Sequence, residues 1–225
     1  MPKICIDPGH GATDSGTLLL TRLEKNDNLQ LGLMLREHFL KQGWQPVLTR
    51  TGDNYVTLAQ RTALANTEKC DLFLSCHRNG FTSQTANGVE SWLHSKAPKA
   101  YQTWAEDMLA RLEALGFTNR GVKLGYRDGS SADYAVNRDT NMPSMLLEVG
   151  FITSEKDNAI FDGRLPEICQ AVVRSCCAFI GVEYQENTGT PNPPEENPPE
   201  TAPKVYSFDL PELKKQGYTS IEIKL

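Results

Sequence analysis

Four residues of this sequence are of types that hold metals or move protons, and each stands in a distinctive local context. His10 ends the run Asp7-Pro8-Gly9-His10, and Glu24 opens the polar run Glu24-Lys25-Asn26-Asp27-Asn28. His77 follows Leu72-Phe73-Leu74-Ser75-Cys76, and Glu148 interrupts Met145-Leu146-Leu147-Glu148-Val149. Two imidazoles and one carboxylate are a common ligand set for a catalytic zinc with one position left open. A fourth group, a carboxylate, can then serve as the base. That combination points to amide hydrolysis by an activated water.

Taken singly, most of these residues have ordinary explanations. His10 could be a loop histidine held by a hydrogen bond, and His77 a capped core histidine. Glu24 could simply favour a helix N-terminus. Glu148 resists such a reading, because an unpaired carboxylate in an apolar strand costs several kcal/mol to bury. It must meet a cation, a metal or solvent, and Gly150 just beyond it allows a turn or the close approach of a ligand. Four such groups at one presumed sheet edge are harder to explain by chance than any one of them.

The elements that must position these groups alternate in type. Short apolar runs bounded by turn residues predict strands over Lys3–Asp7, Gln45–Thr49, Asp71–Cys76 and Ser144–Val149, with a period-two strand over Gly88–His94. Helical spacing predicts helices over Asp27–Gln42, Thr57–Lys69, Ala97–Leu115 and Leu165–Ile180. Residues 118–140 show no clear period and read as loops near the site. Strands alternating with helices imply an α/β fold: a single mixed, mostly parallel sheet flanked by helices on both faces. Sites in such sheets form at the carboxyl ends of the strands, which is where His10, His77 and Glu148 fall. Side chains alternate along a strand, so Cys76 and His77 point to opposite faces.

The chain has 225 residues, 39% of them hydrophobic and 23% charged, with a formal charge of −5. This is the composition of a soluble globular protein, and the acidic balance argues against a nucleic-acid partner. No apolar run reaches the roughly 20 residues that span a bilayer. Met1-Pro-Lys-Ile-Cys-Ile enters a strand pattern directly, with no sign of a secretory leader. Synthesis and retention in the cytoplasm are therefore expected. The cysteines form no C-x-x-C pair and should be reduced thiols. Composition changes after Tyr184. Residues 185–203 are rich in proline and read as a semi-extended linker. Residues 204–225 carry two strand-like runs, 205–208 and 220–225, too few to hold a core of their own. This short C-terminal segment is expected to dock, to associate into a homo-oligomer, or to be the remnant of a larger binding module.

Several segments together resemble the zinc-dependent N-acetylmuramoyl-L-alanine amidases of the amidase-3 type. They are Asp7-Pro-Gly-His-Gly11, Glu24 to Leu29, Thr49-Arg50, Ser75-Cys-His-Arg-Asn79, Asn87-Gly-Val-Glu90 and Asn141 to Ile152. The resemblance runs in order over residues 3–181 and implies a catalytic domain over 1–184. It implies that His10, Glu24 and His77 ligate Zn2+, that Glu148 is the catalytic glutamate, and that the substrate is peptidoglycan. The bond it implies joins the lactyl group of N-acetylmuramic acid to L-alanine. Asn79 is expected to help fix the peptide stem. Ala12, Cys76 and Arg78 depart from the family pattern and leave the shape of the pocket open. Without a leader, and with a linker and small tail, the chain looks like a phage or prophage endolysin that reaches the wall after release, or an autolysin. Two other readings fit the same residues: a zinc peptidase acting on another cell-wall amide, and a non-catalytic wall-binding module on the same fold.

Overall fold

A computed structural model describes residues 1–82, 85–126 and 132–186. Its centre is a six-stranded sheet built from β1 (Lys3–Pro8), β4 (Gln45–Leu48), β5 (Leu72–Asn79), β6 (Val89–Leu93), β7 (Asn119–Leu124) and β8 (Ser144–Phe151), in the order β4-β1-β5-β8-β6-β7. The pairs β1–β4, β1–β5, β5–β8 and β6–β7 are parallel, and β6–β8 is antiparallel. A two-stranded hairpin, β2 (Leu18–Leu19) with β3 (Arg22–Leu23), stands apart from the sheet.

The strands divide their side chains between two unequal layers. Ile4, Ile6, Leu72, Leu74, Met145, Leu147 and Val149 face the larger core with α1 (Glu24–Lys41), α3 (Lys99–Glu113) and α5 (Glu155–Ile180). Their neighbours in sequence, Cys5, Phe73 and Leu146, face a small cluster with Ala65 of α2 (Leu58–Thr67) and Val136 of α4 (Ala135–Arg138). Period-two alternation thus buries both faces, as expected for strands covered by helices. The six cysteines are free and buried.

The expected strands and helices are present, with shifted ends and some additions. α1 begins at Glu24, three residues before the expected Asp27. Its N-cap, Leu23, makes no side-chain cap. Instead the N–H groups of Glu24 and Lys25 donate to the carbonyls of Thr17 and Ser15, so the helix start carries no capping residue for sequence to reveal. β5 continues past Cys76 to Asn79, and His77 lies within the strand. α5 starts ten residues before the expected Leu165 and breaks at Arg164 (φ −133°, ψ 24°). Pro166 explains the break, since it cannot donate to the carbonyl four residues earlier. Residues 118–140, expected as loop, contain β7 and α4. Most of the expected linker, and the strand runs at 205–208 and 220–225, lie outside the described residues. Among the described residues no helix is long and apolar enough to cross a membrane.

Candidate metal centre and active-site cleft

β1 ends at Pro8, and the chain then turns sharply through residues of unusual backbone conformation. His10 (φ 63°) and Ala12 (φ 49°) are left-handed although neither is glycine, a strain that persists only where surroundings enforce it. Two buried arginines supply that enforcement. Arg50 donates to the carbonyls of Pro8 (2.9 Å) and Gly9 (3.0 Å). Arg61, on α2, donates to Pro8 (2.8 Å) and His10 (2.8 Å) and to the Asp7 carboxylate (2.6 Å). Asp7 also accepts from Thr49 and Ser75, which ties β1 to its neighbours in the sheet.

The clamped loop brings His10 onto the first residue of α1 and onto β5. Nε2 of His10 lies 3.1 Å from Oε1 of Glu24, and Nδ1 of His77 lies 2.9 Å from the same oxygen. The imidazoles meet edge to face with centroids 4.9 Å apart. On its other side, Nδ1 of His10 is 2.9 Å from Oδ2 of Asp14. Oε2 of Glu24 accepts from the Thr17 N–H at 2.8 Å. The packing leaves no room for larger residues at two glycines. A Cβ on Gly9 would stand 2.2 Å from His77 Cε1, and one on Gly16 2.6 Å from Glu24 Oε2.

The three side chains offer ligand atoms within 4.8 Å of one another. Their electrostatics suit a cation. Burial works against ionisation of Glu24, but hydrogen bonds from His10 and His77 outweigh it and hold the carboxyl well below the usual range. Burial likewise opposes a charged His10, yet Glu24 and Asp14 raise its pKa to about 9. A buried carboxylate kept ionised between two imidazoles, one of them backed by an outer carboxylate, is a donor set that fits a divalent ion such as zinc.

These groups line a cleft of about 660 Å³ along the thinly covered face of the sheet. Glu148 lines the same cleft. It is 5% exposed, and it is the register partner of His77 on β5 and of Glu90 on β6. Paired residues in adjacent strands share a face, so all three side chains project to the cleft side. The structure thus brings His10, Glu24, His77 and Glu148 to one cleft. Asn79 lines it too, with its amide nitrogen 2.8 Å from Glu90 Oε1 and its oxygen accepting from the Gly80 N–H.

Other structural contributors had no role assigned from sequence: Asp14 beside His10, and Arg50 and Arg61 on the loop carbonyls. Arg50 and Glu90 stand in segments that carried the resemblance, but most of their partners lie elsewhere in the chain. Glu90 accepts from Asn79, from Trp92 (3.2 Å) and from Arg120 (2.8 Å). Of the departures at 76 and 78, Cys76 joins the larger core, whereas Arg78 borders the cleft, its backbone N–H donating to Glu24 Oε1 at 3.2 Å while its guanidinium pairs with Asp27 and lies over the Phe161 ring. Gly150 (φ 76°) permits the close approach of Asp157 and Phe117.

A mixed sheet with a His–Glu–His donor set and a glutamate in one cleft places the chain among α/β proteins built around a candidate divalent-metal centre. It belongs to the Amidase_3 family, N-acetylmuramoyl-L-alanine amidase, whose family model matches residues 4–174. N-acetylmuramoyl-L-alanine amidase LytC of Bacillus subtilis (strain 168) is 36% identical over 156 residues, 68% of this chain and 30% of that protein. N-acetylmuramoyl-L-alanine amidase CwlM of Bacillus licheniformis is 36% identical over 160 residues, 70% of this chain and 59% of that protein. The matches thus span less than two thirds of either relative. The catalytic domain of CwlV, an N-acetylmuramoyl-L-alanine amidase from Bacillus (Paenibacillus) polymyxa var. colistinus, superposes with a TM-score of 0.72 at 31% identity, covering 81% of this chain and 100% of that one.

Proposed function

We propose that this protein is a peptidoglycan hydrolase that cleaves the amide between N-acetylmuramic acid and the L-alanine of the stem peptide, with zinc held by His10, Glu24 and His77. The observation that carries the reading is the convergence of those three donors in a cleft shared with Glu148, in a chain of this family. When bound, zinc supplies Lewis-acid polarisation of a carbonyl and a water acidic enough to attack near neutral pH. Glu148 takes the proton of the attacking water and delivers it to the leaving alanine nitrogen. Asp14 holds the His10 ring in one orientation, and Arg50 and Arg61 keep the His10 loop from relaxing out of its strained turn. The stem-peptide contact proposed for Asn79 is made by a side chain already anchored on Glu90. The place of action is the cell wall.

The test is digestion of purified sacculi with and without a chelator. New amines should appear on alanine, and chelation should abolish them. Shortened stems would mean cleavage of a different amide, and a lack of any product from metal-loaded protein would mean a wall-binding module. In the same reading residues 1–184 are the catalytic domain, 185–203 a tether, and 204–225 an element for docking or self-association. Removing the residues after Thr188 should lower wall binding or oligomeric mass and leave turnover of soluble substrate in place.

A further inference from the structure

Resting on the function proposed above, we propose that the part of the cleft lined by Tyr126 and Tyr134 is a sugar-binding subsite, with these two residues as the platform on which a pyranose ring of the glycan strand stacks. The cleft lining carries two chemistries. Asp14, Thr17 and Asn79 are polar and hydrogen-bonding, whereas Leu146, Ala135, Val136, Tyr126 and Tyr134 offer aliphatic and aromatic surface.

The tyrosines there form an ordered aromatic stack. The Tyr126 and Tyr134 rings lie 4.5 Å apart at 45°, and Tyr134 meets Trp92 edge to face at 5.5 Å. Trp92 is fixed in turn, since its indole N–H donates to the buried carboxylate of Glu90. The innermost ring is 8% exposed and the outermost 39%. The stack therefore starts in the small core and ends at solvent, which pre-organises the outer ring at little entropic cost on binding. Tyr55, 60% exposed, lines the cleft from the α2 side.

An aromatic face recognises the C–H-lined face of a sugar ring and the methyl of an N-acetyl group, and a phenolic hydroxyl can bond a ring hydroxyl. A short peptide rich in carboxylates and amides is better served by the polar part of the lining. The scissile amide lies between these two chemistries: its acyl side carries the sugar and its amine side the peptide. Leu146, paired with Trp92 beneath the tyrosines, precedes Glu148 on β8, and Phe151, paired with Asn79, follows it, so the geometry points to an oriented substrate, sugar toward Tyr126 and stem toward Asn79.

The experiment compares two competitive inhibitors of sacculus digestion by the zinc-loaded full chain: peptide-free glycan strands and free stem peptide. Against wild type, Tyr126→Ala should weaken inhibition by the glycan about tenfold, a factor typical of losing one aromatic contact, and should leave inhibition by the peptide unchanged. Tyr126→Phe, which keeps the ring, should restore glycan inhibition to within about twofold. The orientation is overturned if Tyr126→Ala weakens the peptide instead. The subsite is overturned if the glycan does not inhibit wild type, or inhibits both variants as it does wild type. If wild type releases no alanine amine from sacculi, the proposed function fails and the subsite with it. Release with unaltered glycan inhibition removes the subsite alone.

Discussion

The two faces of the sheet are made by the same strands and serve opposite ends. On one face three long helices, α1, α3 and α5, close over a continuous apolar layer. On the other, α2 of ten residues and α4 of four cover only part of the sheet. The uncovered remainder is the cleft. Leu147 and Glu148 put the contrast at its sharpest, adjacent on β8 and pointing in opposite directions. A stable core on one side lets the other side carry buried charge, strained backbone and an open cavity that would destabilise the fold if both faces bore them.

Exchanging those two residues separately tests that division. Glu148→Gln should lower hydrolysis of sacculi by 10²- to 10⁴-fold, the usual worth of a general base, and should leave the unfolding midpoint and bound zinc near wild type. Leu147→Ala should do the reverse, costing about 2–5 kcal/mol in denaturant unfolding with specific activity of the folded fraction retained. If Leu147→Ala proves silent in stability, or Glu148→Gln unfolds the protein, the two faces are not functionally separate. His77→Ala sharpens the comparison within the cleft, since it should abolish turnover by losing the metal. Elemental analysis separates it from Glu148→Gln: zinc falls in the first variant and stays in the second.

Much of this division was legible in the sequence, because it is a matter of period. The apolar runs marked β1, β5 and β8, and the break in the run at Glu148 marked a residue with business outside the core. Sequence did not show what depends on chain reversal and distant partners. The hairpin of β2 and β3 has strands of two residues, too short for any period. β7 escaped because it is an edge strand with Gly121 at φ 81° and a shifted register against β6, which erases alternation. α1 started earlier than expected because loop carbonyls, not a capping side chain, satisfy its first N–H groups. In the site, the four ligand-type residues stood out by type, while Asp14, Arg50 and Arg61 did not. Arg61 lies inside a helix pattern, where it reads as a solvated charge, and only the fold turns it onto the carbonyls of Pro8 and His10.

Those supporting residues allow a finer test on the cleft side. Asp14 is exposed and touches His10 from outside the donor set. Removing such an outer partner weakens metal binding less than removing a ligand. Asp14→Asn should lower zinc affinity about tenfold, read by competition with a chromophoric chelator, and Glu148-dependent turnover at saturating zinc should stay within a few-fold of wild type. Equal zinc affinity in Asp14→Asn and wild type would show that the strained loop alone orients His10.

The smallest expected effect lies in the cover of the cleft face. α2 opens with a capping box: the Thr57 hydroxyl accepts from the Gln60 N–H, and the Gln60 side chain accepts from the Thr57 N–H. Thr57→Ala should cost about 1 kcal/mol of stability. The first turn of α2 also holds the cleft wall, with Leu58 facing the cavity and Arg61 reaching the His10 loop. Fraying there should therefore reach the site, whereas a loss of equal size on the other face should not. Capping loss in Thr57→Ala should raise amide exchange through residues 58–61 and lower turnover measurably. A mild core truncation such as Val172→Ala in α5 should lower stability with turnover of the folded protein unchanged. If both variants lose turnover only in proportion to their unfolded fraction, fraying in the first turn of α2 does not reach the site.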